Sequence, residues 1–358
     1  MVTPEPVFDK PIQTGPFRSL RGTYFRESIV KSLLVLCGSL SIFTTLAIVV
    51  VLFFEASQFF RAGTVTCPQC RHAARSTLET AGQEIPCTEC GHNLQMPAHI
   101  SLWGFLTGTE WNPLIGKEQD KRFGVWALIS GTLMVSFVAM LFALPLGLIT
   151  AIYLSEYAHP KTRMILKPSL EVLAGIPTVV FGFFALTVIT PTLQLPFFSW
   201  FLGEFNTYNA LSAGIAVGIL CLPIVSSLVE DALQAVPRSL REGAYGLGAT
   251  KFDVSIKVVV PAALSGIISA FLLAVSRTVG ETMIVALAAG SRPHLTLDPR
   301  DDTQTMTGWM VQMALGDVSN FDLAYLSMYA VAAVLFVMTL ALTYVGNVVR
   351  WRFREVYQ

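Results

Sequence analysis

Long apolar runs recur along this chain, each close to the roughly 20 helical residues that cross a bilayer. They fall at 29–54, 124–154, 165–192, 207–229, 263–290 and 323–349. The runs are far longer than barrel strands and lack strict alternation, so they predict helices. The pattern describes an all-α integral membrane protein with six transmembrane helices. The first run is too long for a signal-peptide core and no small-residue cleavage site follows it, so it is read as retained. The predicted organisation is a cytoplasmic arm over 1–28, a first transmembrane helix over 29–54 and an extracytoplasmic loop over 55–123. A core domain over 124–349 and a tail over 350–358 complete it.

Composition agrees with this picture. Of 358 residues, 53% are hydrophobic and only 13% charged, about half the charged fraction of a soluble domain. The net charge of zero gives no sign of a nucleic-acid partner. The distribution of Lys and Arg sets the orientation. Lys10, Arg18, Arg21, Arg26 and Lys31 flank the first span, and Lys161, Arg163 and Lys167 follow the second. Arg238, Arg241, Lys251 and Lys257 follow the fourth, and Arg350, Arg352 and Arg354 follow the last. The link over 193–206 has neither residue type, and the link over 291–322 is acidic overall, with Asp298, Asp301, Asp302, Asp317 and Asp322 against Arg292 and Arg300. The positive-inside rule places both termini in the cytoplasm.

The cytoplasmic loop 230–262 reads as a small helix between breakers. Pro237 ends what precedes it, Ser239 is an expected N-cap with Glu242 three positions on, and the helix covers 239–247. Gly246 and Gly248 end it or admit another backbone, and Pro261 opens the next helix. On spacing alone this is an amphipathic hairpin at the membrane surface. However, Glu242-Gly243-Ala244, then Gly248, then Val258-Val259-Val260-Pro261 resembles the "EAA…G…I-x-L-P" signature of ABC-importer permeases. In that family this loop docks into a groove of the ATPase. Gly243 departs from the pattern, standing where Ala is usual.

Further motifs extend the likeness. "FLTGTEWNP" (105–113), "SGTLMVSFVAMLFALPLGLITAIYLSEYA" (130–158), "LEVLAGIPTVVFGFF" (170–184), "LPIVSSLVEDALQAVPRSLREGAYGLGAT" (222–250) and "SRTVGETM" (276–283) look like the PstC-type permeases of phosphate-specific ABC importers. The resemblance covers most of 100–350. It implies the MetI-like ABC-importer permease fold and a multi-pass place in the bacterial inner membrane. The implied partners are a second permease, a dimer of ATP-binding subunits, an extracytoplasmic phosphate-binding protein and membrane lipid. It also implies that Glu242, Gly243, Ala244, Gly248 and Pro261 serve the ATPase contact.

Arg277 and Glu281 stand inside the fifth apolar run. Four apart, they are expected on one helix face, and charges within spans nearly always face the bundle interior or a water-filled path. The bland alternative is a self-cancelling pair or a lock to a partner permease. A guanidinium matches phosphate oxygens as a planar fork, and the resemblance at "R-x-x-G-E" implies roles for Arg277 and Glu281 in phosphate passage. Thr278 adds a polar group beside them. Thr132 and Ser136, four apart on the second span, either line the path or bond their own backbone. Cys37 and Cys221 read as small apolar fillers.

The outer loop holds "CPQC" at 67–70 and "CTECGHN" at 87–93. C-x₂-C, sixteen residues, C-x₂-C has the spacing of a zinc ribbon, with Cys67, Cys70, Cys87 and Cys90 as a closed structural site that needs neither His72 nor His92. An extracytoplasmic setting favours disulfides instead, so both readings stand. The phosphate permeases do not generally carry this insert.

The chain has no Walker "GxxxxGK[ST]", no HExxH and no nucleophile motif. It is therefore read as a transport subunit without an ATP site, not an enzyme. The other readings are a permease for sulfate, molybdate or phosphonate, and a membrane-anchored metal or redox sensor built on the cysteine loop.

Overall fold

A computed structural model describes residues 20–61, 64–70, 73–75, 84–95, 100–114, 121–316 and 323–352. The arm up to residue 19, the tail from 353, His72, Asp317 and Asp322 lie outside the described residues. The chain forms two units, 1–52 and 53–358. The first holds most of helix α1 (Leu20–Arg61), which runs beyond the predicted 29–54 at both ends. Leu36, Ile42, Ile48 and Cys37 on it are exposed.

The second unit continues through three short hairpins. β1 (Thr64–Thr66) pairs antiparallel with β2 (Ala73–Arg75), and β3 (Glu84–Pro86) with β4 (Asn93–Gln95). After α2 (Leu102–Thr107), β5 (Trp111–Asn112) pairs with β6 (Arg122–Phe123). The helical part comprises α3 (Trp126–Ile152), α4 (Pro160–Ala174), α5 (Thr178–Phe184), α6 (Thr190–Leu193) and α7 (Pro196–Leu202). Then come α8 (Ala210–Gln234), α9 (Arg238–Gly246), α10 (Lys251–Asp253), α11 (Val260–Ala262) and α12 (Leu264–Val279). α13 (Met283–Ala288), α14 (Met306–Leu315) and α15 (Leu323–Arg352) end it. Among the described residues four helices are long and apolar enough to cross a membrane, six if each of two bent pairs counts as one span.

The first bend falls inside an expected span, and the second at the predicted start of one, where the loop 230–262 was expected to end. The predicted 165–192 run breaks at Gly175-Ile176-Pro177, and the helices on either side lie 89° apart. Pro177 takes an extended ψ of 135°, as its ring and missing N–H end one helix and start another. α4 carries Lys161, Arg163, Lys167 and Glu171 and buries no residue. The second bend, 71°, separates the segment ending in α11 from α12.

α3 and α8 form the centre of the bundle. Val138 meets Gly214, Ala139 meets Gly218 and Gly147 meets Val225, so the two helices run parallel. A Cβ at Gly214 would stand 2.5 Å from Val138 Cγ1, and one at Gly218 would stand 2.9 Å from the Ala139 carbonyl oxygen. Gly214-x₃-Gly218 is a small-residue seam that lets backbones approach. Overpacking a close-packed interior costs about 1–3 kcal/mol. Gly214→Leu is therefore expected to lower the melting temperature of the purified protein and its folded yield. An unchanged melting curve would place the α3–α8 contact elsewhere.

Residues 298–302 complete α8 at its start. Asn209 Oδ1 accepts from the Ser212 N–H at 2.7 Å. The next free donors of the first turn, Ala210 N–H and Leu211 N–H, are taken by the carbonyls of Asp301 and Pro299 at 3.1 and 2.8 Å. Helix starts leave such donors unpaired, and here a distant loop supplies the acceptors. A second apolar cluster gathers Phe59, Phe105, Trp111, Phe123, Met306 and Trp309, with the two tryptophan rings edge to face at 5.3 Å.

Candidate functional site

The segment "SRTVGETM" does not form one helix. α12 ends at Val279, Gly280 caps it, Glu281 and Thr282 are non-helical, and α13 resumes at Met283. The expected i, i+4 helical pairing of Arg277 with Glu281 is thereby corrected. Glycine is among the weakest helix formers, and the interruption falls on it. The two charges part company: Arg277 is exposed, whereas Glu281 is buried at 7%. Among the described residues neither has an ion-pair partner.

The break is held by hydroxyls. Thr307 Oγ1 donates to the Glu281 carbonyl at 2.7 Å. Thr307 and Thr305 hydroxyls lie 3.2 Å apart, and Thr305 Oγ1 accepts from the Gly308 N–H at 3.0 Å as the N-cap of α14. Thr132, buried on α3, accepts from the Met306 N–H at 2.9 Å while donating to the Leu128 carbonyl at 2.8 Å. Ser136 donates to the Thr132 carbonyl at 2.7 Å and Thr278 to the Val275 carbonyl at 2.9 Å. Thr132 thus ties the start of α14 to α3. Thr303 and Gln304 are buried beside Gly131. The run Thr303–Thr307 escaped the sequence reading, although a threonine before an apolar stretch is an N-cap signal.

At the other end of α3 and α8, the loop helix α9 spans Arg238–Gly246, close to the predicted 239–247. Its expected cap is corrected. Pro237 occupies the N-cap position with φ −56° and ψ 138°, no side chain caps the helix, and Ser239 lies inside the first turn. The fixed φ of proline starts the helix before Ser239 can. Gly248 ends it at φ +85°, a left-handed conformation that only glycine adopts freely, with its N–H on the Tyr245 carbonyl at 2.9 Å. Glu242 and Gly243 are exposed, and nothing lies within 4 Å of where a Gly243 Cβ would be. Leu247 is 91% exposed. Pro261 stands within α11, just before the bend.

Arg241 anchors this exposed helix. It donates to the carbonyls of Val236 and Leu233, both at 2.7 Å, and to Glu156 Oε1 at 3.1 Å. Glu156 belongs to the π-helical turn Tyr153–Tyr157 that ends α3. Close by, Glu230 on the last turns of α8 is 1% exposed and pairs with Arg163 at 2.7 Å and Lys167 at 3.3 Å from α4. Gln234 Nε2 donates to it at 2.8 Å. With no buried residue of its own, α4 is held to α8 through these charges.

The four ribbon cysteines come together. Their sulfurs all lie within 4.8 Å of one another, with Cys67 to Cys90 at 3.4 Å and Cys70 to Cys87 at 3.6 Å. The cluster could hold a metal ion. The backbone N–H groups of Cys70 and Gln69 donate to the Cys67 thiol and hold it down to about 6. Those of Glu89 and Cys90 lower Cys87 in the same way.

Comparison with known proteins covers up to 67% of the chain. Over 67% of its length it is 34% identical to a probable ABC transporter permease protein, YqgH, of Bacillus subtilis, covering 75% of that protein. Over 67% of its length it is 32% identical to the phosphate transport system permease protein PstC of Mesorhizobium japonicum, covering 76% of it. Among solved structures it is similar to a bacterial ABC transporter involved in the import of alginate, at 16% identity and a TM-score of 0.48, with 64% of this chain and 79% of that one covered. Residues 143–354 match the family described as binding-protein-dependent transport system inner membrane component. With more than half its length inside that match, the chain belongs to this family of transport-system membrane components.

Proposed function

We propose that this chain is the permease subunit of an ATP-driven importer for inorganic phosphate. It passes the anion by alternating access, with ATP hydrolysed by partner subunits docked on α9. The supporting observation is the identity with PstC, joined to the Arg277 guanidinium, which has no ion-pair partner among the described residues and stands beside a broken helix. Interrupted helices within the membrane are tolerated where they line a cavity, and in transporters they mark binding sites. The working complex adds a second permease, a pair of ATP-binding subunits and an extracytoplasmic phosphate-binding protein. Both termini and α9 face the cytoplasm, following the Lys and Arg distribution.

In this reading Arg277 receives phosphate as a bidentate ligand, with Thr278 and Thr132 on the same path. Glu281 accepts a hydrogen bond from the proton that phosphate still carries. Sulfate has no such proton at neutral pH, so it leaves a buried acceptor unpaired beside an anion. Uptake of labelled phosphate by the complete importer, with sulfate as competitor, tests the substrate. Glu281→Gln is expected to let sulfate compete, because the amide donates where the carboxylate only accepts. Unchanged discrimination at normal expression removes this role from Glu281, and preferential uptake of another oxyanion by the unmodified protein replaces the phosphate reading. The same proposal assigns one structural zinc to Cys67, Cys70, Cys87 and Cys90, apart from the transport path.

A further inference from the structure

Among its described residues the ribbon has almost no interior of its own. The buried side chains of its small cluster there are Cys67, Cys87 and Leu94, and two of the three are thiols. The secondary structure described there is two hairpins with three paired positions each. A single hairpin of this kind is marginal in water at best, and a chain segment this small rarely folds without a disulfide or a metal.

Disulfides do not fit the arrangement. A disulfide needs sulfurs about 2.0 Å apart, whereas Cys67 and Cys90 stand at 3.4 Å and Cys70 and Cys87 at 3.6 Å. Four sulfurs each about 2.3 Å from one tetrahedral zinc are about 3.8 Å from one another, close to what is seen. The hairpins supply the surroundings as well. Backbone N–H groups at residues 69 and 70 reach Cys67, and those at 89 and 90 reach Cys87. Such donors offset the negative charge that four thiolates bring to a divalent ion. Gly91, at φ +71°, turns the second knuckle so that its N–H meets the Cys87 carbonyl at 2.9 Å while Cys87 N–H meets the His92 carbonyl at 2.8 Å. All four ligand positions are filled by protein, which leaves no open position for catalysis.

We infer that the zinc ion is the core of residues 64–95: the insert folds when metal binds and unfolds when metal leaves, independently of the transmembrane helices. The inference rests on the zinc reading above and adds folding dependence to it. Zinc fits better than a redox-active metal because its filled d shell accepts the tetrahedral set without preference. Metal-dependent folding of this kind follows whenever the site does not pre-exist in the unfolded segment.

The test uses the full chain purified in detergent without chelators. Metal analysis is expected to give one zinc per chain. Serine at any one of Cys67, Cys70, Cys87 or Cys90 is expected to reduce this at least tenfold, while Cys37→Ser and Cys221→Ser leave it unchanged. Trypsin can cut after Arg71 and Arg75 within the ribbon. Removing zinc with a chelator is expected to speed cleavage there at least tenfold, and adding zinc back is expected to restore resistance, with the transmembrane helices uncut throughout. Stoichiometric zinc whose removal leaves cleavage unchanged overturns the inference and spares the zinc reading. Two disulfides with no metal, or iron with visible absorption in place of zinc, overturns both.

Discussion

Arg277→Ala is expected to reduce phosphate uptake by the assembled importer at least about 30-fold, since truncating one partner of a buried charged contact removes about 2–5 kcal/mol. The expectation rests on where the side chain stands. Arg277 occupies the last turn of α12, exposed on this chain and without an ion-pair partner among the described residues. A guanidinium inside a membrane span is expensive unless it faces water or a counter-charge. Glu281, the nearest carboxylate in sequence, is buried on the far side of the helix break and does not neutralise it. The arginine is thus available to an anion in the passage. Arg277→Lys keeps the charge and loses the planar fork, so its uptake should fall between the two. Equal membrane abundance of all three proteins, and their co-purification with the ATP-binding subunits, separates lost transport from lost assembly. Full uptake by Arg277→Ala removes the residue from the path.

Arg241→Ala is expected to have the second-largest effect, of a different kind. Three bonds leave this one side chain, two to the last carbonyls of the α8 region and one to Glu156 at the end of α3. Both partners of the ion pair are largely covered, at 17% and 7% exposure. Breaking such a contact leaves a covered carboxylate unpaired and carbonyls without donors, a loss of about 2–5 kcal/mol after allowing for partial solvent access. α9 would then still present Glu242, Gly243 and Leu247 outward but no longer move with α3 and α8. Uptake should fall at least tenfold while ATP hydrolysis by the complex persists, so that less phosphate is carried per ATP. Glu156→Gln should be milder, because the two backbone carbonyl bonds survive. A proportional fall in both activities would instead mark Arg241 as needed only for assembly.

The sequence made some of this legible and hid the rest for identifiable reasons. Apolar runs located α3, α8 and α15 closely because each is one uninterrupted helix. The same signal passed over the breaks at 175–177 and 280–282, since hydropathy averages across two or three residues. Pro177 and Gly280 stand at those breaks and disfavour helix, and Lys161, Arg163, Lys167 and Glu171 make α4 polar, but neither signal entered the expected spans. The cysteine spacing gave the ribbon directly, because both knuckles are local. The ion pairs of Glu230 and Arg241 were hidden. Arg163, Lys167 and Arg241 indicated orientation, but their partners come from other helices that only the folded bundle brings near. The GxxxG seam at Gly214 and Gly218 carried a recognisable pattern and was not read. Gly182 also packs closely, against Leu287, and Gly175 sits at the first bend.

A structure of the whole importer trapped with phosphate in its passage tests the central claim most directly. The account predicts a phosphate oxygen about 3 Å from the guanidinium nitrogens of Arg277, with the Glu281 carboxyl on the opposite side of the anion. Arg277 lying against acyl chains, or fixed to a carboxylate of a neighbouring subunit while phosphate passes elsewhere, would contradict it.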